Sequence, residues 1–159
     1  MSGGAVGRLA CDAMHKGLAR WLRAAGHDAW WRYGVADAEL VELARCEGRV
    51  VLTSDAGVME RRAVRRGEVT ALYLPRGLAP LAATRLVLAT FGLAAGFPRC
   101  MACGGALARV DKESAGDAIP PRTYAWLDEF HRCERCAKLF WRGTHWTRIE
   151  RALAQLDRG

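Results

Sequence analysis

The chain has 159 residues, 51% hydrophobic and 26% charged, the makeup of a soluble globular protein and not of a disordered chain or a membrane bundle. Its formal charge is +7, from 24 Lys+Arg against 17 Asp+Glu, which fits a polyanionic partner. No apolar run approaches the roughly 18 to 20 residues of a membrane helix, and Met1 to Arg8 lacks the apolar stretch of a signal peptide, so a cytoplasmic protein without a membrane partner is expected.

The first 96 residues alternate strands with amphipathic helices. Leu9 to Cys11 predicts a short buried strand ending at Asp12. Leu18, Trp21, Leu22 and Ala25 recur at i, i+3, i+4 and i+7, and Gly26 stops that helix. Ala29 to Trp31 is a second strand candidate. Leu40, Leu43 and Ala44 mark a helix behind a capping Asp37, closed by Gly48. Val50 to Leu52 predicts a strand, followed by Thr53-Ser54-Asp55 and one helix running to about Arg66, ended by Gly67. Val69 to Leu74 gives another strand, and Leu81 to Phe91 a helix ending at Gly92. The order implies right-handed crossovers and an α/β fold, a mostly parallel sheet flanked by helices. From Phe97 the texture changes to paired cysteines, a Pro120-Pro121 loop and the aromatic pair Phe140-Trp141, with too few aliphatic residues for an independent core. Two parts are expected: residues 1–96, and a small module over 97–159 with a terminal helix carrying Ile149, Leu153 and Leu156.

Four of the six cysteines form two Cys-x-x-Cys pairs, Cys100/Cys103 and Cys133/Cys136. That spacing lets two thiolates of one tight knuckle reach the same tetrahedral ion, and two knuckles make a closed structural zinc site. The 29 residues between the pairs exceed the roughly 15 to 20 of the common template, so Asp111 to Tyr124 must form an excursion, expected as a hairpin arm. Gly104 and Gly105 supply the backbone freedom that such turns need. A thioredoxin-like pair would instead sit between a strand and a helix of the βαβ layer, where neither pair falls. Cys11 and Cys46 read as small buried hydrophobes. A site with four protein ligands leaves no open position, so chemistry must come from elsewhere.

Parallel sheets bind ligands beyond the carboxyl ends of their strands. Asp12 and Asp55 follow predicted strands and Asp37 stands between them at a helix start. Carboxylates converging on one edge suit a hard cation, Mg²⁺ or Mn²⁺, able to activate water for phosphodiester cleavage. Taken singly, each is also a good helix cap. Lys16, Arg20 and Arg23 repeat at i, i+4 and i+7 on the first helix, and Arg61, Arg62, Arg65 and Arg66 cluster on the third. A phosphate backbone could lie along them, and the alternative is two solvated helix faces. His145 could stack on a base or orient RNA, while Trp146 reads as packing.

Several separate motifs then carry a resemblance. The stretch Cys11-Asp12-Ala-Met14-His15-Lys16-Gly17-Leu18-Ala-Arg20-Trp21-Leu22-Arg23-Ala-Ala-Gly26-His-Asp28 is similar to the opening of the Mut-seven C-terminal ribonuclease domain family. So are Asp37-Ala-Glu39-Leu40, Arg49-Val-Val-Leu52-Thr53-Ser54-Asp55, the two cysteine pairs, Tyr124 to Phe130 and Phe140-Trp141-Arg-Gly143-Thr-His145-Trp146. Covering about residues 8–146, the resemblance implies a PIN-like nuclease fold followed by a small C-terminal zinc ribbon. It implies a metal-dependent ribonuclease with Asp12, Asp37 and Asp55 as the acidic site. His15-Lys16-Gly17 stands where that family usually has Leu-Gly-Lys, and Ser54 where a basic residue is common. Glu39 and Asp28 are candidates for a fourth carboxylate. The expected cofactors are structural zinc and catalytic Mg²⁺ or Mn²⁺. The expected partner is RNA, single-stranded or structured, with the ribbon open to a protein or ribosome contact. The rival readings are a non-catalytic RNA- or ribosome-binding adaptor and a zinc-ribbon module for protein interaction.

Overall fold

A computed structural model describes residues 7–158. The opening residues, in which no leader was expected, lie outside that span. Strand β1 (Arg8–Cys11), helix α1 (Lys16–Ala24), strand β2 (Asp28–Trp30) and helix α2 (Asp37–Glu47) lead into β3 (Val50–Thr53). Two single-turn helices, α3 (Ala56–Met59) and α4 (Arg62–Arg65), precede β4 (Ala71–Tyr73) and α5 (Pro80–Phe91). All strand pairs in this part are parallel, in the order β2-β1-β3-β4. None of the described helices is long and apolar enough to cross a membrane.

Strand alternation divides the core between the two faces of the sheet. Leu9, Cys11, Val50 and Leu52 face α1 and α5, meeting Leu18, Leu22, Ala83 and Val87. Ala10 and Val51 face the other way, onto Leu40, Val41, Ala44, Val58 and Val64 from α2, α3 and α4. Gly17 permits the α1–α5 contact, since a Cβ there would come within 2.8 Å of the Pro80 ring. Gly48 and Gly92 close α2 and α5 in the left-handed conformation, as their place after each apolar stripe implies.

Two local expectations are corrected. The helix expected to run to Arg66 is broken at Glu60-Arg61. Val58 and Val64, six residues apart, would sit about 240° apart on one continuous helix, and the break turns both onto the α2 cluster. Cys46 is exposed, its thiol 3.3 Å from Glu42, because α2 spends its buried face on Leu40, Val41 and Ala44.

Beyond α5 the chain builds an antiparallel sheet from β5 (Leu107–Val110), β6 (Phe130–Cys133) and β7 (Leu139–Trp141), in the order β5-β6-β7. The excursion between β5 and β6 is helical and not a hairpin arm: a 3-10 turn at Gly116–Ala118 and α6 (Pro121–Trp126). It covers fully buried Phe130 with Ala115, Ile119, Tyr124 and Leu127. The module therefore has a core of its own, small and centred on an aromatic ring. Helix α7 (Thr144–Leu156) returns to the first part, setting Leu153, Ile149 and Leu156 against Trp21, Ala24 and Ala25 of the α1 end. Trp146 is buried, as expected, and stacks with Phe97 and His131 at centroid separations of 5.9 and 5.7 Å.

Arg23 joins the two sheets. Sequence spacing puts it on a solvated basic stripe, but it is 4% exposed and donates to three backbone carbonyls: Ala29 beside it (2.8 Å), and Met101 (3.1 Å) and Ala102 (3.2 Å) in the first cysteine knuckle. The α1 end also accepts from the linker, Ala25 from the Gly96 amide and Arg23 from the Arg99 amide, both at 2.8 Å. A carbonyl left without its donor costs roughly 1 to 3 kcal/mol where it is buried, as that of Ala29 is, and less at the part-buried Met101 and Ala102 bonds. Arg23→Met is expected to destabilise the protein by about 3 kcal/mol in urea unfolding, and a loss under about 0.5 kcal/mol would show the guanidinium to be dispensable.

Candidate active site and metal centre

Because β2, β1 and β3 are parallel neighbours, whatever follows their last residues emerges on one edge. Asp37 lies beyond β2, Asp12 beyond β1 and Asp55 beyond β3. The chain leaves β1 in one direction to β2 and places β3 on its other side, which makes the β1/β3 ends the switch point where such sheets open a crevice.

Asp12 is 5% exposed. Its Oδ2 accepts from the Thr53 hydroxyl at 2.6 Å and the Ser54 amide at 3.2 Å, and its Oδ1 from the Met14 amide at 3.0 Å. The same Thr53 oxygen accepts from the Asp55 amide at 3.0 Å, so one hydroxyl orients both acidic residues across the β1–β3 pair. Asp55 caps α3 through Oδ1, which accepts from the Gly57 amide at 2.7 Å. Its Oδ2 has no protein donor among the described residues. Asp37 is half-buried in the first turn of α2, with Ala36 as the cap residue. His15 sits beside this group: its Nε2 is 2.8 Å from the Ser54 hydroxyl and 3.9 Å from Asp12 Oδ1. No pattern in the sequence pairs His15 with Ser54, and only their nearness to Asp12 and Asp55 along the chain hinted at it.

The three aspartates are not drawn together as the cysteines are. Among the described residues the four cysteines form the one group of three or more metal-ligating side chains whose ligand atoms lie within 4.8 Å of one another. The other carboxylates considered are engaged elsewhere. Asp28 lies at the amino end of β2, the opposite edge, where buried Arg49 grips it at 3.0 Å. Burial works against its charge, and the hydrogen bonds and charge of Arg49 outweigh that and lower its pKa. Glu39 is exposed and paired with Arg32.

The two arginine clusters sit on opposite faces of the sheet, α1 on one and α4 on the other. A single phosphate track along both would have to cross the sheet edge. Lys16 and Arg20 are exposed on α1, as Arg61, Arg62, Arg65 and Arg66 are around α4. Arg23 has left the stripe for the structural role described above. His145 is exposed in the first turn of α7.

The cysteine cluster fits a tetrahedral ion. Sγ–Sγ separations are 3.7 Å for Cys100–Cys136 and 3.4 Å for Cys103–Cys133, against about 3.8 Å for the edge of a tetrahedron with 2.3 Å Zn–S bonds. Amides of Gly105, Arg135 and Cys136 point at Cys103 and Cys133 sulfurs at 3.4 Å. A Cβ on Gly105 would come within 2.7 Å of Cys133 Sγ, so the knuckle closes only around glycine. Burial opposes charge on Cys133, yet the Cys136 and Arg135 amides bring its thiol down to about 6. Burial pushes Cys103 up to about 12, and its thiol neighbours add to this. Such a cage needs a cation before all four can ionise together.

Comparison with known proteins gives one result. The family model for the Mut7-C RNAse domain matches residues 7–153. No curated protein and no solved structure gives a match.

One zinc per chain is expected by elemental analysis of protein purified under reducing conditions without chelator. Cys103→Ser and Cys136→Ser should each lose the metal and unfold the region beyond residue 97, read as lost protection in hydrogen exchange. Metal-free protein with an intact second sheet would contradict this.

Proposed function

Since the chain belongs to the Mut7-C RNAse domain family, we propose that it hydrolyses RNA phosphodiester bonds at the carboxyl edge of the parallel sheet. In this reading Asp12, Asp55 and Asp37 are the acidic groups and the cysteine module is a zinc ribbon that helps hold RNA. The observation that carries the reading is the Thr53 hydroxyl, which donates to Asp12 and accepts from the Asp55 amide. A helix cap needs no such partner, and two carboxylates fixed on adjacent strand ends are what a hard cation requires.

The donor set suits Mg²⁺ or Mn²⁺, because every candidate ligand is a carboxylate oxygen, with the neighbouring His15 imidazole engaged by the Ser54 hydroxyl. Asp12 Oδ1 and Asp55 Oδ2 would hold the ion, with Asp37 beside them. Such an ion, when bound, supplies an activated water and stabilises the leaving oxygen. A carboxylate spread wider than the cysteine cage is compatible with a pair of ions roughly 3.5 to 4 Å apart. The chain's own part is to fix the carboxylates. Thr53, Ser54 and Met14 lock the Asp12 rotamer, the Gly57 amide locks Asp55, and the exposed cations Lys16 and Arg20 hold phosphate close by.

Asp55→Asn keeps shape and Asn still caps α3, so its Tm is expected to stay within a few degrees of the parent. Asp12→Asn instead sets an NH2 against one of the donors that reach both carboxylate oxygens, and is expected to stay folded at a cost of roughly 1 to 3 kcal/mol. Cleavage of single-stranded RNA should require added Mg²⁺ or Mn²⁺ and drop at least about 100-fold in either variant, the scale on which lost charge stabilisation in the transition state is felt. Folded variants that cut RNA as fast as the parent would refute the assignment.

A further inference from the structure

The site above leaves a large cleft unexplained. It lies between α1, the β7 side of the ribbon and α7, with a volume of about 790 Å³, within the roughly 300 to 1,000 Å³ of ligand-binding clefts. Arg23 and Met101 contribute to its lining where the two sheets are tied together.

Its lining combines cations with aromatic rings. Lys16 and Arg20, one helical turn apart, stand on the α1 wall, and Lys138 stands on the ribbon wall. All three are exposed, and none has a carboxylate partner among the described residues. Two acidic side chains reach the cleft: Glu150 is occupied by Arg142 at 2.6 Å and by the Trp146 indole at 2.9 Å, and Asp157 stands exposed at the C-terminal end of α7. Two of its rings carry a lysine: Trp31, partly buried against the α1-side core, with Lys16 at 5.5 Å, and Phe140, with Lys138 at 5.9 Å. Phe140 packs into none of the apolar clusters among the described residues, whereas its neighbours Leu139 and Trp141 serve the core around Phe130. A phenyl ring half-buried on a strand and outside the core becomes a stacking surface once its lysine turns to a phosphate.

The cleft also adjoins the acidic edge. The Trp31 indole donates to the Ala13 carbonyl at 3.2 Å, one residue beyond Asp12, and Lys16 opens α1 four residues after Asp12. We propose that this cleft seats single-stranded RNA: bases stack on Phe140 and Trp31, Lys16, Arg20 and Lys138 take the phosphates, and the strand runs past Trp31 to the aspartates. Positive charge interleaved with accessible rings is the pairing that binds unstacked strands without sequence preference, whereas paired bases offer no faces to such rings. The identity of the strand rests on the ribonuclease reading, and the cleft itself does not.

The test is a fluorescence anisotropy titration of the full chain with a short labelled oligouridylate, without added divalent ion and without chelator. Binding is thereby read independently of cleavage. Phe140→Leu keeps the apolar volume and removes the ring, and is expected to weaken binding about tenfold with the salt slope unchanged. Lys16→Gln with Lys138→Gln should lower the slope of log affinity against log salt by about 1.4, at 0.7 per phosphate contact. A hairpin duplex RNA should compete at least about tenfold less well. Zinc content and Tm equal to the parent's certify the fold of each variant. Parent-like affinity and slope in both variants would overturn the proposal, as would equal competition by duplex, and capture of a protein partner with no RNA affinity would assign the cleft to that partner instead. Parental RNA binding combined with absent cleavage would count against the ribonuclease reading alone.

Discussion

The arrangement of the molecule depends on one buried guanidinium. Arg23 satisfies a carbonyl within β2 and two in the first cysteine knuckle, and hydrogen bonds from a charged donor are among the stronger polar contacts a fold can make. Its position near the α1 C-terminus also suits the helix dipole. Around it, linker amides seat on the α1 end and α7 packs its Leu153 ridge against Ala24 and Ala25. Ribbon and parallel sheet thereby hold a fixed relation, and the walls of the cleft, one from each part, face each other at a set distance.

Two sites with different chemistry follow from that relation. The ribbon concentrates soft sulfur donors in a closed cage, which builds structure and leaves no position for substrate. The sheet edge presents carboxylate oxygens, of which Asp55 Oδ2 has no protein donor among the described residues. Under the proposed reading, separating the two donor types keeps each from capturing the other's ion, since thiolates favour zinc and carboxylates favour Mg²⁺ or Mn²⁺. His15 and Ser54, hydrogen-bonded to each other at 2.8 Å, flank the acidic group at the β1 and β3 ends.

Much of this was legible in the sequence. Strand runs, glycine stops and the double Cys-x-x-Cys spacing report local geometry, and local geometry is what periodicity encodes. The failures share a cause. Arg23 falls on the polar stripe of α1 by spacing, but a stripe shows which residues share a face and not what covers that face. Cys46 failed for the same reason in reverse, an apolar side chain on the face of α2 left to solvent. The break at Glu60-Arg61 and the placement of the two arginine clusters on opposite sheet faces depend on which layer each helix joins, a property of topology. The cleft at Phe140 was invisible because its walls are contributed by segments more than a hundred residues apart.

The most direct measurement is anomalous diffraction, at the manganese and zinc edges, from crystals grown with Mn²⁺. The account predicts manganese at the sheet edge, ligated by Asp12 and Asp55, and zinc among Cys100, Cys103, Cys133 and Cys136. Zinc in the ribbon with no manganese at the aspartates, in a crystal whose sheet edge is free of lattice contacts, would contradict a metal-dependent nuclease at that edge.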